Sequence, residues 1–204
     1  MNLQERHSEL LVSIGVNSNK IKGLWQNLEK AYTAKSRHYH NLNHLHEMIE
    51  LFDIYHTHLK NPNEILYSIF YHDYIYKATR KDNELKSAEH ALAILPNDVL
   101  LDKQLVFDAI CATKLHQLNE IEDINWLIDF DLKILSKDWE AYQTYCSQIR
   151  KEYRIYPNLM YKPGRRKALE HFLEHEFIYK TEIFRKLFDE KAKANIKAEI
   201  ALLT

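Results

Sequence analysis

Apolar residues recur every three or four positions along nearly the whole chain, which is the spacing of one face of an α-helix. No segment has the strict alternation of a half-buried β-strand. The pattern predicts helices over residues 3–14, 21–34, 41–59, 64–76, 82–95, 99–116, 122–135, 138–153, 165–172 and 181–203. We therefore predict an all-α fold, a single domain over residues 1–204 in which nine or ten helices pack as an orthogonal array.

Prolines and asparagines mark several of the predicted breaks. Asn61-Pro62-Asn63 precedes one helix, and Pro96-Asn97-Asp98 ends another. Two further clusters, Tyr156-Pro157-Asn158 and Lys162-Pro163-Gly164, predict a short irregular stretch between them. The next helix is therefore expected to begin only at Arg165.

The segment from Glu64 to Tyr76 places a histidine and an aspartate on its apolar side. Along a helix, His72 shares a stripe with Ile65 and Ile69, and Asp73 follows the neighbouring stripe of apolar residues. A buried carboxylate without a partner costs several kcal/mol or takes up a proton. The pair is therefore a candidate site that needs a cation, a metal ion or hydrogen bonds.

Three other segments place polar residues on apolar stripes. His44 is in register with Met48 and Leu51, and Glu84 is in register with Ala88 and Ala91. In the segment 123–135, the spacing predicts that Asp131 faces the core, in register with Ile124 and Ile128. The same spacing predicts that Asp129 faces water.

A cluster of His44, His72, Asp73 and Asp131 would supply two imidazoles and two carboxylates. That set suits a divalent ion such as Mn, Fe, Co, Ni, Mg or Zn. It leaves coordination positions for water, which metal-assisted hydrolysis requires. A histidine or aspartate on an apolar face is also common as a hydrogen-bonded core residue, so periodicity alone leaves the metal site and a satisfied polar core equally open.

Composition excludes several other classes of site. Three glycines in 204 residues cannot form a glycine-rich phosphate loop, a dinucleotide fingerprint or a nucleophile elbow. The net charge of −1 gives no overall basic field for nucleic acid, and no apolar run is long enough to span a membrane. The first residues lack the pattern of a signal peptide, so a cytoplasmic protein is expected.

Five blocks of sequence carry a resemblance to a known family. They are Arg37–His44 (RHYHNLNH), Phe70–Tyr76 (FYHDYIY), Arg80–Ala88 (RKDNELKSA), Ala112–His116 (ATKLH) and Asp129–Leu135 (DFDLKIL). Their order on a helical chain resembles the H…HD…D signature of the HD superfamily of metal-dependent phosphohydrolases, and in particular a bacterial subfamily of predicted HD phosphohydrolases. The resemblance covers about residues 20–203, with the metal-binding part at about 37–135.

The resemblance implies that His44, His72, Asp73 and Asp131 bind the metal ion. It implies hydrolysis of a small phosphate ester, commonly a nucleotide or a related compound in the superfamily. Asp73 is a candidate catalytic residue, and Glu84 could orient metal-bound water or act as a general base. The simpler interpretation of Glu84 is a carboxylate that the helix dipole favours in a first turn. Leu115 stands where the family pattern has a histidine. That difference favours a single ion over a centre of two metals.

Cationic side chains near these blocks are candidates for binding the phosphate. They are His40, Lys77, Arg80, Lys114, His116 and Arg165. Each has a simpler interpretation as a solvated loop charge or a cation at a helix end. His40 is also a candidate for a further ligand or for a partner of a ligand.

Two rival functions remain at this point. A regulatory module could keep the metal site and bind a nucleotide without turning it over. A helical interaction protein with a satisfied polar core would bind no metal. The sequence carries no signal for an oligomeric state.

Overall fold

The computed structural model describes residues 2–203, and within them the chain forms ten α-helices and no β-strand. The helices are α1 (Leu3–Ser13), α2 (Ser18–Tyr32), α3 (Leu42–Tyr55), α4 (Pro62–Tyr71), α5 (Asn83–Ala93), α6 (Lys103–Ala112), α7 (Glu122–Leu132), α8 (Trp139–Glu152), α9 (Asn158–Leu173) and α10 (Glu182–Leu202). Short 3₁₀ helices follow α3 at His56–His58 and α7 at Lys133–Ser136. The predicted all-α class is confirmed.

Two helices form the centre of the fold. Every residue of α4 from Ile65 to Tyr71 is buried, and so is every residue of α7 from Asp123 to Phe130. The other helices pack around them: α3, α6 and α1 contact α4, while α5 packs on α6. A helix that is buried on all sides belongs in the core. The side chains at the ends of α4 and α7 are therefore held rigidly.

Polar side chains cap the N-termini of several helices. Asn2 forms a capping box with Glu5, Asn41 accepts a hydrogen bond from the N–H of Asn43, and Thr181 caps α10. Residues 139–152 and 182–202 agree closely with their predicted helices. No helix of the described residues is long and apolar enough to cross a bilayer.

The predicted irregular stretch before Arg165 is wrong. Helix α9 begins at Asn158 and runs through Pro163 and Gly164 without a break. Pro163 lies near the start of the helix and removes one hydrogen bond, the bond to the carbonyl oxygen of Leu159. Leu159 is 88% exposed, so water can solvate that group. The loss is small enough for the helix to continue.

Candidate metal centre

Three helices bring the four predicted ligands together. His44 is the third residue of α3, His72 and Asp73 directly follow the end of α4, and Asp131 lies one residue before the end of α7. The side chains of His44 and His72 are only 2% exposed, whereas those of Asp73 and Asp131 are 12% and 16% exposed. The imidazoles therefore form the floor of the cluster and the carboxylates lie on its open side.

The distances between the donor atoms are short. The Nε2 atom of His44 lies 3.1 Å from Oδ1 of Asp131 and 3.3 Å from Nε2 of His72. The ligand atoms of these three residues all lie within 4.8 Å of one another, so this group could hold a metal ion. Asp73 adjoins the group, with its Oδ2 atom 3.2 Å from Nε2 of His72 and 3.9 Å from Nε2 of His44.

A backbone carbonyl orients the ring of His72. Its Nδ1 atom lies 2.9 Å from the carbonyl oxygen of Ile69, so Nδ1 carries a proton and donates it. In the neutral ring, Nε2 is then the atom with a free lone pair. A metal-binding histidine usually fixes its tautomer in this way.

The charges of the cluster compensate one another. Burial opposes the charged form of His72, but the carboxylates of Asp73 and Asp131 raise the pKa of His72 to about 9. Burial would likewise raise the pKa of Asp73, but the charges of His72 and His40 hold that pKa well below its usual value. A cation that enters this cluster must therefore displace a proton from His72.

His116 holds the second oxygen of Asp131. Its Nε2 atom lies 2.9 Å from Oδ2 of Asp131, which leaves Oδ1 facing His44. Burial would raise the pKa of Asp131, but its hydrogen bonds to His116 and His44 hold the pKa well below the usual value. His116 has a φ of 50°, the one non-glycine residue in 2–203 with a left-handed backbone. Such strain costs of order 1 kcal/mol and persists where the surroundings fix the conformation.

Glu152 anchors the loop that leads into α3. Its Oε1 atom accepts hydrogen bonds from the backbone N–H groups of three consecutive residues, 38–40, at 2.7, 2.7 and 3.1 Å. Its Oε2 atom lies 2.6 Å from Nδ1 of His40 and accepts a hydrogen bond from the hydroxyl of Tyr76. Successive N–H groups of this kind form an anion-binding nest, and here the anion is a side chain of the protein itself.

Arg37 ties the same loop to the end of α4. Its Nη1 atom donates to the carbonyl oxygens of Asp73, at 2.7 Å, and His40, at 3.1 Å, and Nη2 donates to Tyr74. The guanidinium therefore stabilises the carbonyl end of the helix that carries His72 and fixes its distance from α3. These roles of Arg37 and Glu152 were not predicted from the sequence.

Four of the six predicted phosphate-binding residues line a cavity beside Asp131. One of them is His116, described above. The others are His40, Lys114 and Arg165. Arg165 is in the middle of α9, contrary to its predicted place at a helix start. Its guanidinium forms two hydrogen bonds, of 2.7 and 3.0 Å, with the carboxylate of Glu199.

The other predicted site residues lie elsewhere. Arg80 is exposed and pairs with Asp82, and Lys77 is exposed in the loop after α4. Glu84 is half-buried in the first turn of α5, and no hydrogen bond or ion pair found for residues 2–203 joins it to the cluster. The predicted roles of Lys77, Arg80 and Glu84 remain predictions.

Asp129 does not face water, and that prediction is wrong. The residue is completely buried and accepts hydrogen bonds from the backbone N–H groups of Lys180 and Thr181 and from the hydroxyl of Thr181. Burial raises the pKa of Asp129 to about 6 despite these bonds. Helix α7 is buried on all sides, so its periodicity cannot mark an outward face.

Two depressions flank the cluster. His44 lines a polar one with Asn43, Glu47 and Lys137, whereas Asp131 lines the cavity that contains His40. Tyr39 lies between them and lines both. The donor atoms of His44 and Asp131 nevertheless meet at 3.1 Å, so the two openings lead to one cluster.

No family model matches the chain, and neither the search of curated proteins nor that of solved structures gave a match. The family relationship expected from the five sequence blocks therefore remains an expectation, and the geometry of the cluster has to support any function by itself.

Proposed function

We propose that this protein is a metal-dependent phosphohydrolase of the HD type, in which His44, His72, Asp73 and Asp131 hold one divalent cation. One observation carries the proposal. The Nε2 atoms of His44 and His72 each lie 3.1–3.9 Å from an oxygen of Asp131 and from an oxygen of Asp73, and these two aspartates come from α7 and the end of α4. Ligands bound at about 2.1 Å are about 3.0–3.4 Å apart in octahedral or tetrahedral sites.

The donor set fits a cation, although hydrogen bonds from the two rings to Asp131 and Asp73 also satisfy it without one. The Nε2 atoms of His44 and His72 are 3.3 Å apart, so two protonated rings would point N–H groups at each other. A cation between them uses both lone pairs and both carboxylates. Two nitrogen and two oxygen ligands suit Mn, Fe, Co, Ni or Zn. Mg would be held mainly by the two carboxylates, because it prefers oxygen ligands.

A divalent cation bound in such a site lowers the pKa of a bound water and polarises a phosphoryl oxygen. The residues of the chain supply the rest. His116 orients Asp131, and Arg37 with Glu152 fixes the spacing of α3 and α4. His40 has Nδ1 bound to Glu152, which leaves Nε2 for an oxygen of the substrate. Lys114 adds an exposed positive charge on the rim of the cavity.

The proposal is tested by phosphate release from a panel of esters, including nucleotides and p-nitrophenyl phosphate, with Mn²⁺, Co²⁺, Ni²⁺ or Mg²⁺ added. The matched variants are Asp73→Ala and Asp53→Ala, since the side chain of Asp53 is 51% exposed on α3. We expect metal-dependent hydrolysis by the wild type and by Asp53→Ala. Asp73→Ala should lose the activity and keep its helical content in circular dichroism.

Two results would overturn the proposal. The first is full hydrolysis by Asp73→Ala. The second is a protein that binds metal and is stabilised by nucleotides but releases no phosphate from any ester, which would favour the regulatory module.

A further inference from the structure

A cavity of about 630 Å³ opens directly beside the metal centre. Asp131, His40 and His116 lie at one end of it, and α8 and α9 form the remaining walls. Asp131 is the member of the cluster that lines this cavity, so a substrate in the cavity can reach a cation from the side of Asp131. A phosphate ester bound there has its organic group in this cavity.

The walls away from the cluster are mainly apolar, both aliphatic and aromatic. Five aromatic residues line them: Tyr145, Tyr153, Tyr156, Tyr161 and Phe172. Apart from Asp131, no carboxylate or amide side chain belongs to the described lining. Such a wall binds flat rings through stacking and edge contacts. Without amide side chains, it has few groups that distinguish one ring from another by hydrogen bonding.

Small residues on α9 create the space. Gly164 and Ala168 line the middle of the cavity, with Met160 on one side and Phe172 on the other, at the spacing of one helix face. A Cβ atom added to Gly164 would meet no other atom within 4 Å. The trough between the aromatic ends is therefore open because no side chain fills it.

Basic side chains also line the cavity, and the charge of Arg165 is balanced by its pairing with Glu199. Lys114, His171 and Arg165 line it in addition to the histidines. The hydroxyl of Tyr39 is buried and has no hydrogen-bond partner among residues 2–203, although Tyr39 lines the cavity.

We propose that this cavity is a subsite for the aromatic ring of a phosphate ester, placed so that its phosphate lies on the metal centre. This inference rests on the proposed function and names the substrate class. The ring is held by the faces of the tyrosines and Phe172 above the trough at Gly164 and Ala168. A nucleobase and a simple aryl group have this chemistry in common, and a described lining with no amide side chain and no carboxylate besides Asp131 predicts little preference among bases.

Binding is measured by calorimetry on the Mn²⁺-loaded protein with phenylphosphonate and with methylphosphonate, which carry the same charged group. We expect phenylphosphonate to bind about tenfold more tightly, as ring packing in such a pocket provides. The variant Ala168→Phe fills the trough and should remove this preference while leaving methylphosphonate binding unchanged. Ala194→Phe, at an exposed alanine of α10, is the matched control and should keep the preference.

Hydrolysis distinguishes the two sources of the ring. Rates are compared for phenyl phosphate, adenosine and cytidine 5′-monophosphates, and glycerol phosphate. The subsite predicts that all three aromatic esters exceed glycerol phosphate, with less than about fivefold difference between the two nucleotides. A nucleotide rate far above that of phenyl phosphate would identify the nucleoside as the source.

Failure of the subsite and failure of the hydrolase are separate results. Equal binding of both phosphonates, together with equal hydrolysis of aromatic esters and glycerol phosphate, would overturn the subsite alone. The subsite is also overturned if Ala168→Phe, melting like the wild type, keeps the preference for the ring. No phosphonate binding and no hydrolysis of any ester would overturn the hydrolase as well.

Discussion

The Nδ1 atom of His72 lies 2.9 Å from the carbonyl oxygen of Ile69, one turn earlier in the chain. His72 is the C-cap of α4, where carbonyl groups lack their helical partners. The ring satisfies one of them and in doing so turns Nε2 toward His44 and Asp73. The end of α4 thus sets both the position and the orientation of the His72 ring in the proposed metal site.

This arrangement predicts that His72→Ala abolishes metal binding. The variant loses one of the two imidazole ligands, and the remaining groups cannot complete the site. Metal content, measured by elemental analysis after dialysis against the ion, should fall from about one per chain to near zero. His46→Ala is the control, because His46 lies on α3 with its side chain 54% exposed. Equal metal content in the two variants would contradict the assignment of His72.

Glu152→Gln should destabilise the protein by about 2–3 kcal/mol, because hydrogen bonds to a charged group are worth about 1.5–3 kcal/mol and the buried N–H groups lose their anion. Urea unfolding at pH 7 measures the change. Glu140→Gln, at an exposed position of α8, should be close to neutral.

The same variant has a defined pH dependence. Burial would raise the pKa of Glu152, but the hydrogen bond and charge of His40 lower that pKa to about 2, against a usual value of 4.5. The stabilisation by Glu152 is therefore present above about pH 4.5 and is lost as the pH falls toward 2. Wild type and Glu152→Gln should converge in stability over that range. A difference that stays constant from pH 7 to pH 2 would contradict the role given to the carboxylate.

The order of the helices could be predicted from the chain because it depends on local periodicity, whereas the convergence of His44, His72 and Asp131 was expected only from the family resemblance. Helical periodicity indicated the apolar stripes, and short sequence blocks indicated the ligands. Glu152 could not be predicted, because its partners in the loop 38–40 are more than a hundred residues away. Asp129 was assigned the wrong environment, since a helix buried on all sides has no polar face to set its register.

The variant His116→Asn tests the hydrogen bond to Asp131 while it keeps the left-handed backbone at this position. Asparagine tolerates a φ of 50° but is too short to hold Asp131 as histidine does. Because partners of metal ligands affect affinity by about 10–100-fold, competition with a chelator should reveal a loss of this size. The melting temperature should change little.

Two further variants complete this test. His116→Gly removes the strain as well as the ring, so it should match or exceed the stability of His116→Asn while losing as much metal affinity. His171→Asn removes another histidine that lines the cavity and is exposed, and it should keep the wild-type affinity. Wild-type affinity in His116→Asn would mean that Asp131 needs no such partner.

His7 predicts a second pH effect, away from the metal centre. The ring is completely buried against Trp25 and Phe70, with Nε2 3.0 Å from the hydroxyl of Tyr71. Burial lowers the pKa of His7 from 6.5 to about 4. Between pH 6.5 and pH 4, His7 takes up a proton in the unfolded chain but stays neutral in the folded protein. Stability should therefore decrease by about 3 kcal/mol as the pH falls from 6.5 to 4.

The variant His7→Gln removes this titration and keeps a polar partner for Tyr71. Urea unfolding across pH 4–7 should give a flatter profile for His7→Gln than for the wild type, whatever its stability at pH 7. His46→Gln, at an exposed histidine, should reproduce the wild-type slope. A slope unchanged in His7→Gln would mean that the ring of His7 is protonated in the folded protein, with the unbonded Nδ1 atom reached by solvent.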